Sequence, residues 1–331
     1  MPDEFVEGSA HMKFTACSCV VGLAIMWSSA ASAQSVAIGT SNPGSIYHSS
    51  GSAIAKVANE KAGLRATIQP YASPNVFIPA VNAGELEFGL ANVFETSLAL
   101  EGKDHFDGRP HRELRAVAIM WPLRTGFFVK KDSPIKTIAD LKGKTLPDGY
   151  TSQKISLPIL DAIYATGGLT RADMRPAQVP NVVGGANEFI AGKADGFFFA
   201  LGSAKVSEAD AAVGGIRALP MADDAPTLAA IKRHLPLAYI RAERPGPNNP
   251  GVLEPINVIA YDALIFASAK TKDDIVYKVV KAMHENKADM AATFGVFNLF
   301  DPGAMAKTID PIAYHPGAIK FYTEKGMWPP K

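Results

Sequence analysis

The stretch Val36-Ala37-Ile38-Gly39-Thr40-Ser41-Asn42-Pro43-Gly44-Ser45-Ile46 gives the first indication of how this chain folds. It begins with a short apolar run, which is closed by four loop-forming residues. Apolar residues then recur at helical spacing from Ile46 up to Gly63. The pattern predicts a strand, a loop and a helix.

The same alternation continues along the chain and indicates an α/β protein. Short apolar runs bounded by turn residues predict strands, and longer periodic segments predict helices. Alternating strands and helices favour a mainly parallel sheet. Further strands are predicted over 65–69, 88–91, 145–146, 174–179 and 196–199, and helices over 74–83, 94–100, 153–165, 185–190, 273–286 and 316–325.

Two places look like crossings between lobes. Extended segments over 114–121 and 125–131 are separated only by Pro122-Leu123-Arg124, and another extended run covers 258–267. We therefore expect two lobes with a hinge near Thr125 and Tyr261. The expected division is 34–124 and 262–331 in lobe I, and 125–261 in lobe II.

An internal similarity agrees with two related lobes. Segments 83–91 and 191–199 each place a glycine after a helix, then an acidic residue, an apolar strand and a polar loop. A chance match of common turn chemistry is the alternative. If the lobes are related, a ligand would bind beyond the carboxyl ends of their strands.

The N-terminus has the pattern of a secretory signal. Lys13 precedes an apolar run over 20–27, and small residues end at Ala31-Ser32-Ala33. A membrane anchor would need about 20 apolar residues. We expect cleavage after Ala33 and export to the periplasm, with the acidic residues before Met12 lying upstream of the true start.

Composition excludes several functional classes. The 331 residues are 47% hydrophobic and carry a formal net charge of +1, which rules out a disordered chain and gives no basic excess for nucleic acid. Both cysteines, Cys17 and Cys19, precede the cleavage site. The remaining 298 residues therefore offer no disulfide, thiolate nucleophile or cysteine-bound zinc, and they have a net charge of +3.

Recognisable enzyme signatures are missing from residues 34–331. There is no Gly-x-Ser-x-Gly, no Gly-x-Gly-x-x-Gly, and Ile138 stands where a phosphate-binding loop ending at Gly143-Lys144-Thr145 needs glycine. His105 and His111 lie near two aspartates in the segment 103–112, where a solvated loop is favoured over a metal site. We expect no catalytic residues, no metal and no cofactor.

Two loops are candidate anion sites. Gly39–Ser45 and Pro147–Ser152 each follow a strand and open a helix, where free backbone N–H groups attract anions. Ordinary capped turns are the alternative. Tyr47 is suited either to a cleft wall or to the core, and Arg124 either to pairing a carboxylate or to an exposed turn.

Four segments together resemble the TAXI family of periplasmic solute receptors, which serve tripartite ATP-independent periplasmic (TRAP) transporters. The segments occur in the family's order across most of the chain, and the last is the most specific. Where the ligand should touch, Ser41-Asn42-Pro43 departs from the family's usual glycine-rich first loop, and Pro147-Asp148-Gly149-Tyr150 stands in place of a small-residue loop. The segments are Gly39–Tyr47, Val81–Asn92, Asp140–Lys144 and His315–Tyr322.

The resemblance implies a type II periplasmic-binding-protein fold, with two α/β lobes joined by a hinge and a ligand cleft between them. It implies capture of a small carboxylate, such as an amino acid or dicarboxylate, and delivery to TRAP permease membrane subunits. A receptor for a membrane sensor kinase is the alternative, and an enzyme on the same fold is a further one. The expected ligand-binding residues are Thr40, Ser41, Ser45, Ile46, Tyr47, Asn75, Asn92, Arg124, Thr151, Ser152, Gln153 and Ser203.

Overall fold

A computed structural model describes residues 34–330. The expected signal segment and its cleavage after Ala33 lie outside the described residues. Within this range no helix has both the length and the apolar character needed to cross a bilayer.

The first lobe begins with the expected strand, loop and helix. Strand β1 runs parallel to its neighbours β2 and β3. The side chain of Ser45 caps α1 by accepting a hydrogen bond from the His48 N–H, and Gly84, with φ of +84°, ends α2. The elements are β1 (Gln34–Ser41), α1 (Ile46–Lys61), β2 (Leu64–Tyr71), α2 (Pro74–Ala83), β3 (Phe88–Asn92) and α3 (Val93–Glu101).

Two long strands carry the chain between the lobes. They are β4 (Leu114–Lys130) and β10 (Ile256–Ser268), and they pair antiparallel. The expected break at residues 122–124 is wrong, because β4 is continuous there. Pro122 is tolerated because it faces Asp262 next to a register shift, where the ladder is already interrupted.

The second lobe is built around the far ends of these strands. There β4 pairs antiparallel with β7 and β8, and β10 pairs with β9. Strands β5 and β6 form a separate parallel pair. The elements are β5 (Thr145–Asp148), α4 (Ser156–Thr166), β6 (Arg175–Gln178), α5 (Val182–Ile190), β7 (Gly196–Ala200), α6 (Ala204–Ala212), β8 (Ile216–Ala218), α7 (Ala225–Lys232) and β9 (Tyr239–Glu243).

The expected mainly parallel sheet is wrong. Eight strands form one mixed sheet in the order β2-β1-β3-β10-β4-β7, with β8 beside β4 and β9 beside β10. The pairings of β4 and β10 with each other and with β3, β7, β8 and β9 are all antiparallel. The two lobes therefore share strands instead of holding two separate sheets. The boundaries near Thr125 and Tyr261 stay a prediction.

Three C-terminal helices close the first lobe. They are α8 (Asp273–Glu285), α9 (Lys287–Thr293) and α10 (Pro316–Glu324). The apolar stripe of α8, which includes Val276 and Met283, is buried in the core, as its periodicity predicts. A smaller apolar cluster lies in the second lobe around Phe197 and Phe199, while Phe198 points into the larger cluster.

The two segments that are similar in sequence also adopt similar local structure. In each, a helix is followed by a glycine with positive φ, Gly84 at +84° and Gly192 at +74°, and then by a buried strand. Asn92 and Ser203 follow as the residues at which the next helices, α3 and α6, begin. In both segments, a polar residue that begins a helix therefore follows a buried strand.

Gly89 provides a test of the packing between β3 and its neighbours. A Cβ atom there would lie 2.5 Å from Phe266 Cζ and 2.8 Å from Phe77 Cε2. We expect Gly89→Ala to lower the free energy of unfolding by about 1–3 kcal/mol, measured by urea denaturation. Gly246→Ala is the control, since no atom lies within 4 Å of its Cβ position. Equal stability of the two variants would contradict this packing.

Candidate functional site

A cleft between the lobes holds a free volume of about 60 Å³. Its walls come from the starts of α1 and α2 in the first lobe, and of α4 and α5 in the second. Thr125 and Tyr261, at the crossing of β4 and β10, form part of the lining, and their hydroxyl oxygens are 3.2 Å apart. The space suits a small solute.

Half of the expected binding residues line this cleft. The others lie outside its lining. The lining residues are Ser41, Ser45, Ile46, Tyr47, Asn92 and Gln153, and those outside the lining are Thr40, Asn75, Arg124, Thr151, Ser152 and Ser203.

Three of the expected binding residues that lie outside the lining are either buried in the fold or exposed to solvent. Thr40 is fully buried and packs its methyl group beneath Gly51 of α1. Ser203 is also buried, and its hydroxyl donates to the Ala200 carbonyl at 2.8 Å. Thr151 is exposed. None of these residues is part of the cleft lining.

Arg124 is buried beside the crossing strands and already has a carboxylate partner. Its Nη1 donates to Glu243 Oε2 at 2.8 Å and to Asn249 Oδ1 at 2.7 Å. Burial lowers the pKa of Arg124, and the neighbouring Glu243 opposes that shift. The guanidinium therefore stabilises the joint between the lobes and does not line the cleft.

Two contacts hold the mouth of the cleft closed. The Lys205 N–H of α6 donates to the Gly44 carbonyl at 3.1 Å, which joins the first loop to the second lobe. On the other side, the Ser73 hydroxyl lies within hydrogen-bond reach of the Ser152 carbonyl and of Asn75 Oδ1. The structure therefore represents a closed form.

Helix starts converge on the cleft from both lobes. The first N–H groups of a helix have no acceptor within that helix and carry its positive dipole end. Some are already used: Gln153 Oε1 accepts from the Val182 N–H at 3.0 Å, and Asn181 Oδ1 accepts from the Gly184 N–H at 3.0 Å. The backbone N–H groups of Ile46, Tyr47 and Val183 also belong to helix starts, and these three residues line the cleft. The arrangement favours an anion.

Tyr47 serves both as cleft wall and as core. Its ring is 7% exposed and stacks on Trp121 with centroids 6.2 Å apart, while the residue also lines the cleft. Its hydroxyl has no hydrogen-bond partner among residues 34–330. Burial raises the pKa of Tyr47 and of Tyr261, so both hydroxyls are neutral donors in the cleft.

Glu95 is the residue that sequence reasoning missed. It is fully buried on α3, lines the cleft, and neither carboxyl oxygen has a hydrogen-bond partner in the described part of the chain. Burial raises the pKa of Glu95 to about 8, and the nearby Asn75 N–H opposes this. A glutamate three residues after Asn92 has the spacing of a capping residue, which hid its role.

His105 lies next to Glu95, so the expected solvated loop is wrong at this position. Its side chain is 7% exposed, and Nε2 is 3.8 Å from Glu95 Oε1, too far for a hydrogen bond. Its ring packs on Phe106 with centroids 4.5 Å apart. Burial lowers the pKa of His105 and raises that of Glu95, so desolvation favours the neutral form of both side chains.

Arg124 provides a test of the joint between the lobes. Arg124→Gln leaves the buried Glu243 with only the half-exposed Arg241 as a charged partner, at 2.9 Å. We expect a loss near the lower end of about 3–5 kcal/mol in the free energy of unfolding, measured by chemical denaturation.

Arg171→Gln is the matched control for that substitution. Arg171 is 38% exposed and pairs with Asp161 at 2.8 Å, so its loss should cost less than about 1 kcal/mol. A similar cost for both variants would contradict a special role for the buried pair.

Solved structures with the same fold include two with bound anions. PhnD1 from Prochlorococcus marinus, in complex with methylphosphonate, matches with a TM-score of 0.54 at 7% identity over 88% of this chain and 98% of that chain. MatC from Rhodopseudomonas palustris, with bound malate, matches with a TM-score of 0.56 at 13% identity over 80% of this chain and 88% of that chain. These likenesses show the two-lobed periplasmic-binding-protein fold.

A family model also matches most of the chain. It covers residues 38–326, from the first strand to the end of the last helix. The match includes both lobes, the crossing strands and all the cleft residues described above. The chain belongs to the NMT1-like family.

Proposed function

We propose that this protein is a periplasmic solute-binding protein that captures a small organic anion between its lobes and delivers it to a membrane permease. The observation that carries this proposal is the enclosed cleft at the crossing of β4 and β10, into which helix starts project from both lobes. A ligand held by both lobes stabilises the closed form through contacts that the open form lacks.

An anion is favoured by the kind of polar group in the cleft. Helix N-termini, hydroxyls and amides can all donate hydrogen bonds to carboxylate or phosphonate oxygens. No lysine or arginine is among the residues that line the cleft in the described range. The charge of the ligand would be balanced by dipoles and neutral donors, which suits one compact anionic group.

The TRAP permease is the proposed transport partner. This part of the proposal is supported by the TAXI-like segments of the sequence, and the periplasmic location is supported by the signal-like N-terminus. The anions bound by two proteins of the same fold, malate and methylphosphonate, are reasonable first probes. A carboxylate remains our first choice of ligand class.

A thermal-shift panel tests ligand capture directly. The panel contains L-malate, succinate, pyruvate, L-glutamate and methylphosphonate. A ligand present at 100 times its Kd should stabilise the folded protein by about 2.7 kcal/mol, which raises Tm by several degrees. No shift with any member, together with no small anion in mass spectra of the co-purified material, would contradict the proposal.

Ser73 provides a test of lobe closure. Ser73→Ala removes the hydroxyl that reaches the Ser152 carbonyl across the mouth. One hydrogen bond contributes about 0.5–1.5 kcal/mol, so affinity for the stabilising acid should fall by about 2–12-fold in calorimetry. Ser35→Ala is the control, because Ser35 is exposed at the opposite end of β1. An unchanged Kd would show that this contact does not support closure.

A further inference from the structure

Capture of an anion does not by itself explain why a glutamate, Glu95, lies in the cleft. A glutamate lies fully buried in the cleft, with both carboxyl oxygens unpartnered within residues 34–330. An ionised carboxylate in this position would lack both water and a counter-charge, which is strongly unfavourable. The first turn of a helix favours negative charge, but only by a fraction of the cost of burial.

The groups that face Glu95 provide no counter-charge. Tyr47 of α1 and Tyr261 of β10 approach as neutral hydroxyls, and the Asn75 N–H approaches from α2. His105, from the turn after α3, is itself buried and kept neutral by desolvation. Asp104, Asp107 and Lys154 influence the pKa of His105, whereas the pKa of Glu95 is set by burial and by the Asn75 N–H. Burial accordingly raises the pKa of Glu95 to about 8.

A neutral carboxylic acid can do what an ionised one cannot. When protonated, the side chain has an O–H that donates a hydrogen bond, and hydrogen bonds to an ionised acceptor are the stronger kind. An ionised Glu95 would instead repel an anion in the same cleft. Since no basic side chain lines the described cleft, a neutral acid is compatible with the anion that the helix starts favour.

We propose that Glu95 is a specificity-determining residue that remains protonated in the cleft and donates a hydrogen bond to an oxygen of the bound anion. This inference rests on the proposed function. The proton stays on the Glu95 carboxyl and the ligand stays ionised. Because the bound anion favours the protonated form, binding above pH 8 takes up a proton from solution. The cleft therefore selects a compact anion without needing a cation.

Calorimetry with Glu95→Gln tests this role. The probe is whichever acid of the panel raises Tm most, and it is titrated in two buffers of different ionisation enthalpy. Wild type should bind with constant affinity from pH 6 to 7, then lose up to about tenfold per pH unit above pH 8, with proton uptake. Glu95→Gln, which keeps a neutral donor, should bind with no proton uptake and a flat profile.

Glu101→Gln is the matched control, because Glu101 is exposed at the other end of the same helix. It should behave as wild type. The proposal is overturned if wild type binds the probe without proton uptake at pH 8.5. It is also overturned if the affinity of wild type rises as the pH is raised through 8 while that of Glu95→Gln stays flat, since that result would require an ionised carboxylate.

Infrared spectroscopy tests the protonation of Glu95 without any ligand. At pH 6 the wild-type protein and Glu101→Gln should show the carbonyl band of a protonated carboxyl group, and Glu95→Gln should lack it. Absence of the band from wild type overturns the proposal whether or not a ligand is known. If the band is present but no acid binds, the proposed function fails and the donor role fails with it.

Discussion

The antiparallel pairing of β4 with β10 is the constraint on which the rest of the structure depends. Both strands pass through both lobes, so each lobe completes its part of the sheet with strands that the other also uses. At the crossing, Thr125 and Tyr261 contact each other through their hydroxyls, and the buried Arg124–Glu243 pair lies beside them. The cleft lies beside this crossing, with Thr125 and Tyr261 in its lining, while one apolar cluster continues from the first lobe into the second.

Burial, more than net charge, controls the chemistry of the cleft. Its polar groups are dipoles and neutral donors, and the acidic residue among them, Glu95, is one whose pKa burial raises to about 8. Such a site gains little from long-range electrostatic attraction. Its selectivity would come from short hydrogen bonds that form when the lobes close, which suits a chain with a formal net charge of only +1.

Local signals predicted the elements well where one segment carried all the information. The glycine after α2 and the polar residues before α1 and α3 have the capping geometry that their residue types favour. The strand break at Pro122 was wrong for a different reason. Proline argues against a paired strand unless its neighbour is already out of register, and that neighbour, Asp262, lies 140 residues further along the chain.

The sequence alone was enough to predict the alternation of strands and helices and the polar helix starts, because each depends on residues close together in the chain. Only the tertiary structure decided which of these groups share the cleft. It paired Arg124 with Glu243. It also placed Glu95, on helix α3, and His105, in the turn that follows, side by side in a buried position. Desolvation, which gives Glu95 its raised pKa, depends on everything packed around it.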